Sequence, residues 1–229
     1  MDLKKGDLIK LEFTGRINAN NQVFETTDEK VAKENNVYDA RQKYKPRLVF
    51  YEKGDMIKGL EKELPSMELN VEKEFVVKPE DAFGPRYNEL TRTMPVSEFE
   101  KRGYKPAVGM AVDLNGTLGI VRAVSGGRVV IDFNHPLAGM ELKYNVKVLN
   151  VYKTLEEKLN ALIEEFEIKD LEYKIDEKNK RLDLKYNKAS FEEEYMRKKL
   201  TLIDVIRRNL DEVEELNLYE TYKFERKKE

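Results

Sequence analysis

Residues 77–84 read VKPEDAFG, and two other short segments also combine turn-forming with apolar residues: residues 54–61 read GDMIKGLE and residues 134–139 read NHPLAG. Glycine and proline favour tight turns, because glycine reaches backbone conformations closed to other residues and proline fixes its own φ angle. All 12 glycines and all 7 prolines lie within the first 139 residues. The first part of the chain is therefore predicted to be turn-rich β structure. The rest should form longer elements, with a domain boundary near Lys153.

Alternation of apolar and polar residues predicts several half-buried strands in the first part. The alternating positions are Ile9, Leu11 and Phe13; Leu48 and Phe50; Phe75 and Val77; and Leu142, Tyr144, Val146 and Val148, which together with Val151 would form a last long strand. An apolar run from Val129 to Phe133 follows Gly126-Gly127, which predicts a hairpin turn. Short helices are expected within residues 28–45 and 59–64.

The last part of the chain predicts a module ordered helix, strand, strand, helix, strand. Thr154 with Glu157 and Ser190 with Glu193 have the spacing of capping boxes, in which two side chains satisfy the first backbone N–H groups of a helix. Apolar residues at helical spacing follow both pairs. Further alternation predicts a hairpin and a final strand, at Leu171/Tyr173/Ile175, Leu182/Leu184/Tyr186 and Leu216/Leu218/Tyr222/Phe224. The apolar helix faces are wider than one hairpin covers, which leaves room for a partner, including a homodimer through this module.

Composition excludes several classes of function. The chain carries 42 basic against 44 acidic residues, so it has no overall field that would attract nucleic acid. No apolar run approaches the roughly 20 residues that a membrane span needs. The charged N-terminus lacks the apolar centre of a signal peptide, and the absence of cysteine fits a reducing compartment. We therefore expect a cytoplasmic protein without nucleic-acid or membrane partners. No metal or cofactor is expected, because His135 is the only histidine and stands without further ligands.

Taken together and in order, residues 54–61, 77–84 and 134–146 resemble the FKBP-type peptidyl-prolyl cis/trans isomerases, most closely their SlyD-like and long archaeal branch. The resemblance covers roughly residues 3–153. In that branch a second domain, which holds unfolded chains, is inserted between the second and third segments.

The resemblance implies an α+β fold whose isomerase domain is an antiparallel half-barrel wrapped on a short helix. This domain would be discontinuous, made of residues 1–85 and 134–153. The inserted small β-rich domain would be residues 86–133. Residues 154–229 would form the C-terminal α+β domain, for which only the sequence pattern argues.

The resemblance also implies an apolar pocket between the half-barrel and its helix. Catalytic roles would fall to Phe13, Phe24, Glu25, Ile57, Phe83 and Tyr144, and substrate contacts to Leu48, Met56, Leu60 and, on a flap above, Leu137. The N–H of Ile57 would receive the substrate carbonyl. Glu25 stands where the family usually has Asp. Leu48 and Leu60 stand where some relatives have large aromatics, so we expect a wider floor and weaker affinity for bulky macrocyclic inhibitors.

The chemistry of prolyl isomerisation explains why the sequence offers no convincing nucleophile, metal site or titrating base. The barrier to rotation, about 18–20 kcal/mol, comes from amide resonance, and no bond is made or broken. An apolar cavity disfavours the polar planar ground state more than the twisted transition state, which lowers the barrier. Each apolar residue assigned to the pocket would, however, also be explained as ordinary core.

The insert contains more apolar residues than a domain of its size can easily hide. Client binding is assigned to four of them, Met94, Phe99, Met110 and Leu114, because flexible methionines suit a surface that accepts varied partners. The alternative is that a small β domain uses them all as core. The leading hypothesis is an isomerase combined with a chaperone, acting on unfolded or nascent proline-containing polypeptides. The alternatives are a holdase or an assembly factor with little isomerase activity.

Overall fold

The computed structural model of the protein describes residues 1–101, 103, 105–114 and 116–223. Its helices are α1 (Glu29–Glu34), α2 (Lys58–Glu63), α3 (Val96–Glu100), α4 (Leu155–Glu165) and α5 (Glu193–Asn209). Its strands are β1 (Leu8–Ile17), β2 (Val23–Thr26), β3 (Arg47–Phe50), β4 (Glu72–Val77), β5 (Thr91–Pro95), β6 (Ala111–Leu114), β7 (Thr117–Ser125), β8 (Arg128–Asp132), β9 (Leu142–Tyr152), β10 (Leu171–Asp176), β11 (Arg181–Ala189) and β12 (Glu215–Tyr222). The predicted α+β class is confirmed. Among the described residues, no helix combines the length and apolarity needed to cross a membrane.

The chain folds into two compact units. The first contains Met1–Gly15, Val23–Glu74 and the chain from Tyr144 onward, and the second contains Arg16–Gln22 and Phe75–Lys143. The first unit therefore joins most of the expected half-barrel to the C-terminal module, and the second contains the expected insert. The division into three domains at the boundaries given above stays a prediction.

The first sheet has five strands, in the order β2-β1-β9-β4, with β3 pairing with β1. β1 and β3 run antiparallel, with Leu8 opposite Phe50 and Leu11 opposite Arg47. The predicted alternation in β9 is present, since every second side chain is buried, at Leu142, Tyr144, Val146 and Val148. The sheet thus places alternate residues of each strand on defined faces.

Both expected short helices are present. Asp28 caps α1, because its carboxylate accepts the N–H groups of Lys30 at 2.7 Å and Val31 at 3.0 Å. α2 follows Ile57 and buries Leu60, which is 4% exposed.

The C-terminal module has the predicted element order: α4, β10, β11, α5 and β12. β10 and β11 form an antiparallel pair, and β12 lies parallel to β11. The capping box at Thr154 is formed: its Oγ1 accepts the N–H of Glu157, and the Glu157 carboxylate accepts the N–H of Thr154. Of the residues predicted for the last strand, Phe224 lies outside the described residues.

The second predicted capping box is wrong. α5 begins at Glu193 with Glu192 as its N-cap, and no side chain caps it. Ser190 instead accepts the N–H of Glu192 at 3.1 Å, two residues along the chain. The physical reason is that a serine hydroxyl accepts a hydrogen bond in a turn as readily as at the start of a helix, so the two structures compete for the same side chain.

The C-terminal module shares its core with the first sheet. Leu8 and Phe50 belong to the same buried cluster as Leu159, Leu182 and Leu202 from the module. The apolar helix faces that looked too wide for one hairpin are therefore covered in part by the sheet itself. Ion pairs at the edges of this contact join Lys53 to Asp211 at 2.6 Å and Lys45 to Glu165 at 2.8 Å.

The second unit contains an antiparallel sheet in the order β5-β8-β7-β6. The predicted turn at Gly126 and Gly127 joins β7 to β8, and both glycines have positive φ angles, 57° and 72°. Two successive residues at positive φ make the tight hairpin turn that matches strand twist. The core of this sheet is small: Phe99, Val112, Val121, Val129 and Ile131.

The buried carboxylate of Asp132 connects the end of β8 to the residues that precede β5. Asp132 is 1% exposed and accepts hydrogen bonds from the backbone and side chain of Asn134, from Arg122 at 3.1 Å and from Arg86. The Asn134 amide in turn pairs with both backbone groups of Tyr87, at 2.9 Å each. Burial alone would raise the pKa of Asp132, but the hydrogen bonds from Asn134 and the two arginine charges together hold that pKa below its usual range.

A carboxyl whose pKa is lower in the folded than in the unfolded state stabilises the folded protein. The stabilisation is complete above the pKa of the unfolded state, about 3.9, and is lost as the pH falls through the pKa of the folded state. We predict that Asp132→Asn lowers the free energy of unfolding by about 3 kcal/mol at pH 7. The substitution leaves Arg86 and Arg122 without their carboxylate partner and disturbs the hydrogen bonds to Asn134. The difference from wild type should shrink below about pH 4. Urea unfolding followed by circular dichroism at pH 7 and pH 3 measures both values. Glu100→Gln, at an exposed site of the same unit, is the control, and a deficit equal at both pH values would contradict the assignment.

Candidate functional site

Three aromatic rings from neighbouring strands of the first sheet form one cluster. The rings of Phe13 and Tyr144 have centroids 6.3 Å apart, and Phe24 meets Tyr144 edge to face at 5.8 Å. Gly15 makes this packing possible: a Cβ at that position would lie 2.7 Å from the Phe24 ring and 2.9 Å from the Tyr144 ring. Sequence reasoning did not single out Gly15, although an isolated glycine inside a strand pattern often marks such a close approach.

The hydroxyl of Tyr144 fixes the neighbouring carboxylate. It donates a hydrogen bond of 2.6 Å to Oε1 of Glu25. Burial, followed by the nearby negative charge of Glu25 and this hydrogen bond, raises the pKa of Tyr144 far above its ordinary value. The phenol therefore stays protonated at any pH where the protein works, and Glu25 has a fixed position beside the rings.

Arg47 and Thr27 complete this side of the cluster, and sequence reasoning missed both. The Arg47 guanidinium lies 4.9 Å from the centroid of the Phe13 ring, where a cation is attracted to the ring face. The backbone N–H of Phe13 donates to the Thr27 hydroxyl at 3.0 Å, and the Thr27 N–H donates to the Phe13 carbonyl at 2.9 Å. A threonine and an arginine thus hold the Phe13 strand and ring in place.

Leu48 does not join this cluster, which corrects the expectation that it lines the cavity. Successive residues of a strand point to opposite faces. Because Arg47 lies over Phe13, Leu48 faces the other side of β3, where it packs with Phe50 against the core of the C-terminal module. Arg47 is the residue of β3 that lies over the Phe13 ring.

The residues around the start of α2 are partly or fully buried. Leu60 is buried within the helix, whereas Met56 and Ile57 are half-buried at its N-terminal end. The Ile57 carbonyl accepts the N–H groups of Leu60 and Glu61. Within the described part of the chain, the Ile57 N–H has no hydrogen-bond partner, so it can donate to a ligand.

Two of the predicted pocket residues lie in the second unit. Phe83 stacks face to face on His135, with ring centroids 4.1 Å apart and planes at 6°. Nδ1 of His135 accepts the N–H of Leu137 at 3.2 Å, so the single histidine organises its own loop. In the part of the chain that the structure describes, no three His, Cys, Asp or Glu side chains gather into a metal site.

The four residues assigned to client binding in the insert line one cavity of about 130 Å³: Met94, Phe99, Met110 and Leu114. Phe99 is 4% exposed and belongs to the core of the insert. The two methionines and the leucine are partly exposed and pack against that core. Glu98 and Asp113 add two carboxylates to the lining. The cavity thus combines a rigid aromatic base with flexible apolar walls.

Comparison with known proteins gives two family matches. Residues 1–100 match the family model described as FKBP-type peptidyl-prolyl cis-trans isomerase, and residues 92–137 match the model described as FKBP26, IF domain. The second match covers most of the insert, including the cavity.

Curated relatives extend these matches. A short-type peptidyl-prolyl cis-trans isomerase of Methanocaldococcus jannaschii is 34% identical over 149 residues, which cover 65% of this chain and 94% of the relative. An FKBP-type 16 kDa peptidyl-prolyl cis-trans isomerase of Escherichia coli is 30% identical, covering 49% of this chain and 78% of the relative. The isomerase SlyD of Helicobacter pylori is 32% identical, covering 46% and 59%. With the first relative matched over nearly its whole length, the chain belongs to the FKBP-type peptidyl-prolyl cis/trans isomerase family and is an isomerase of that type.

Proposed function

We propose that the chain rotates X-Pro bonds in unfolded or partly folded polypeptides at the aromatic cluster of the first unit, and that its insert holds those polypeptides. The observation that carries the proposal is the cluster itself: Phe13, Phe24 and Tyr144 in contact, with the Glu25 carboxylate fixed beside them. We place this activity in the cytoplasm, because the absence of cysteine fits a reducing compartment.

The energetics of the reaction define what such a site must do. The two isomers of an X-Pro bond differ by only about 0.5–1 kcal/mol, whereas uncatalysed exchange takes ~10–100 s. The problem is therefore the barrier alone. The planar amide is charge-separated, and rotation removes that separation, so an apolar surface that excludes water stabilises the twisted state relative to the planar one.

The residues of the cluster and those at the start of α2 have distinct roles in this proposal. The faces of Phe13, Phe24 and Tyr144 exclude water from the prolyl ring. The free N–H of Ile57 donates to the substrate carbonyl and holds it while the bond turns. Glu25, held by Tyr144, offers a fixed acceptor to the substrate backbone. Met56 and Leu60 extend the apolar floor, and the roles of Phe83 and Leu137 stay predictions.

The hydrogen bond between Tyr144 and Glu25 gives the first functional prediction. Tyr144→Phe should lower kcat/KM for a Leu-Pro peptide about three- to tenfold, because a carboxylate released from its partner no longer has a fixed orientation. The free energy of unfolding should fall by about 1–3 kcal/mol.

The matched control is Tyr173→Phe, which removes a tyrosine hydroxyl that donates to Asn160 at 2.8 Å on the surface of the C-terminal module. We expect this variant to keep wild-type kcat/KM. Equal kcat/KM for Tyr144→Phe and wild type would sink the role given to Glu25.

The cavity of the insert supports the chaperone part of the proposal. Methionine side chains adapt to varied apolar partners, and Met94 and Met110 are the flexible members of its wall. A client held there keeps its prolyl bonds at a high local concentration near the isomerase site, which raises the rate on proteins without new contacts at that site. The insert would be residues 86–133, and the isomerase domain residues 1–85 and 134–153.

This tethering predicts different losses on short and long substrates. Replacing both Met94 and Met110 by Gln should leave kcat/KM for a short Leu-Pro peptide within about twofold. Proline-limited refolding of a denatured protein should slow about fivefold or more, because only the long chain reaches both sites. Leu118→Gln, at a position of the same sheet that is 71% exposed and outside the cavity lining, is the control. Equal losses on both substrates would count against tethering.

In the holdase alternative the insert also binds clients, but the protein does not isomerise their prolyl bonds. Catalytic amounts of the wild-type chain should accelerate proline-limited refolding, whereas a holdase without isomerase activity would only delay aggregation. Self-association through the C-terminal module also stays a prediction. Its edge strand β12 exposes Leu218 and Tyr219, at 42% and 54%.

A further inference from the structure

A basic groove of about 430 Å³ lies within the first unit. One wall is the segment that leads into β3, with Lys43, Lys45 and Arg47, and the other includes Arg197 and Lys198 from α5. The groove is thus built by the sheet and the C-terminal module together. Five basic and two acidic side chains line this cavity, so its lining is net positive on a chain whose net charge is −2.

Ion pairs engage the three lysines of the groove. Lys45 lies 2.8 Å from Glu165, Lys43 lies 3.7 Å from Glu167, and Lys198 lies 3.5 Å from Glu167 and 3.0 Å from Glu194. In the described part of the chain, neither Arg47 nor Arg197 forms an ion pair with a carboxylate. Two guanidinium groups, which bind carboxylates well through two parallel hydrogen bonds, are therefore available to a ligand.

The groove borders the aromatic cluster through two shared residues, Thr27 and Arg47. Thr27 lines the groove and also accepts the N–H of Phe13 at 3.0 Å. Arg47 lines the groove and lies over the Phe13 ring. A polypeptide whose proline sits against Phe13 would therefore place its neighbouring residues beside Arg47.

We propose that this groove binds acidic side chains of the client polypeptide next to the prolyl bond, so that the enzyme favours prolines flanked by Asp or Glu. This inference rests on the proposed isomerase function. An acidic peptide fits better than a nucleic acid, because Glu165 and Glu167 would repel a continuous run of phosphates but leave room for separate carboxylates.

The test compares two peptides that share a central Leu-Pro bond, one with two Glu residues on each side and one with Gln in their place. The full chain should isomerise the Glu peptide with a kcat/KM roughly two- to tenfold higher at low salt. The ratio should approach one at 0.5 M NaCl, since exposed ion pairs are modest and screened. If both peptides are isomerised with equal kcat/KM at low salt, the proposed binding of acidic side chains in the groove is wrong, whereas the isomerase function is unaffected.

Arg197→Gln and Arg47→Gln should each lower that ratio by about two- to fivefold. Arg207→Gln is the matched control, because Arg207 lies on the same helix and pairs with Asp204 at 2.6 Å, outside the groove lining. A ratio that falls equally in the control would overturn the assignment of the effect to the groove.

A binding measurement separates this inference from the isomerase function. A fluorescent peptide of alternating Glu and Gly, without proline, should bind the full chain at low salt and more weakly to Arg197→Gln. If it binds no better than its Gln counterpart, the groove proposal fails whatever the activity. Equal displacement by the Glu peptide and by an oligothymidylate of the same charge would also overturn it in favour of a nucleic-acid site.

Discussion

Strand β1 of the first sheet makes a different contact on each of its two faces, and the proposed site depends on this arrangement. On one face Leu8, Leu48 and Phe50 pack into the core of the C-terminal module. On the other, Phe13 and Tyr144 form the aromatic cluster. A slip of β1 by one residue would exchange the faces of Leu8 and Phe13 and would disrupt both contacts. Packing against the module therefore opposes such a slip in the strand that carries Phe13.

The same constraint explains how the site can be apolar and still well ordered. The rings of Phe24 and Tyr144 approach closely because Gly15 leaves space between them. Within the cluster, the Tyr144 hydroxyl donates a short hydrogen bond to the Glu25 carboxylate. Such a surface excludes water and presents few fixed polar groups, which suits a reaction that makes and breaks no bond.

Much of the fold follows from sequence patterns where one face is clearly apolar. The alternation in β1 and β9, the capping box at Thr154 and the Gly126-Gly127 turn all depend on local physics, and all appear in the structure. The failures lie where local signals compete. Ser190 has the spacing of a cap, but its hydroxyl is used in a turn instead.

The site was harder to predict than the fold. In β3 the successive residues Val49 and Phe50 are both buried, so apolar character did not show which face points to the cluster, and the exposed Arg47 is the residue that lies over Phe13. Nor could spacing alone predict that Tyr144 would bond Glu25, since 119 residues separate them in the chain. Contacts of this length depend on the assembled sheet.

The central claim is that rotation is promoted by water exclusion and fixed hydrogen bonds, without proton transfer. Its most direct test is kcat/KM for a neutral Leu-Pro peptide, with Gln and Ala at the flanks, measured from pH 5.5 to 9. The account predicts a profile flat within about twofold, because the Tyr144 hydroxyl stays protonated throughout and the reaction consumes no proton. A bell-shaped profile, or a change of about tenfold across this range, would contradict it.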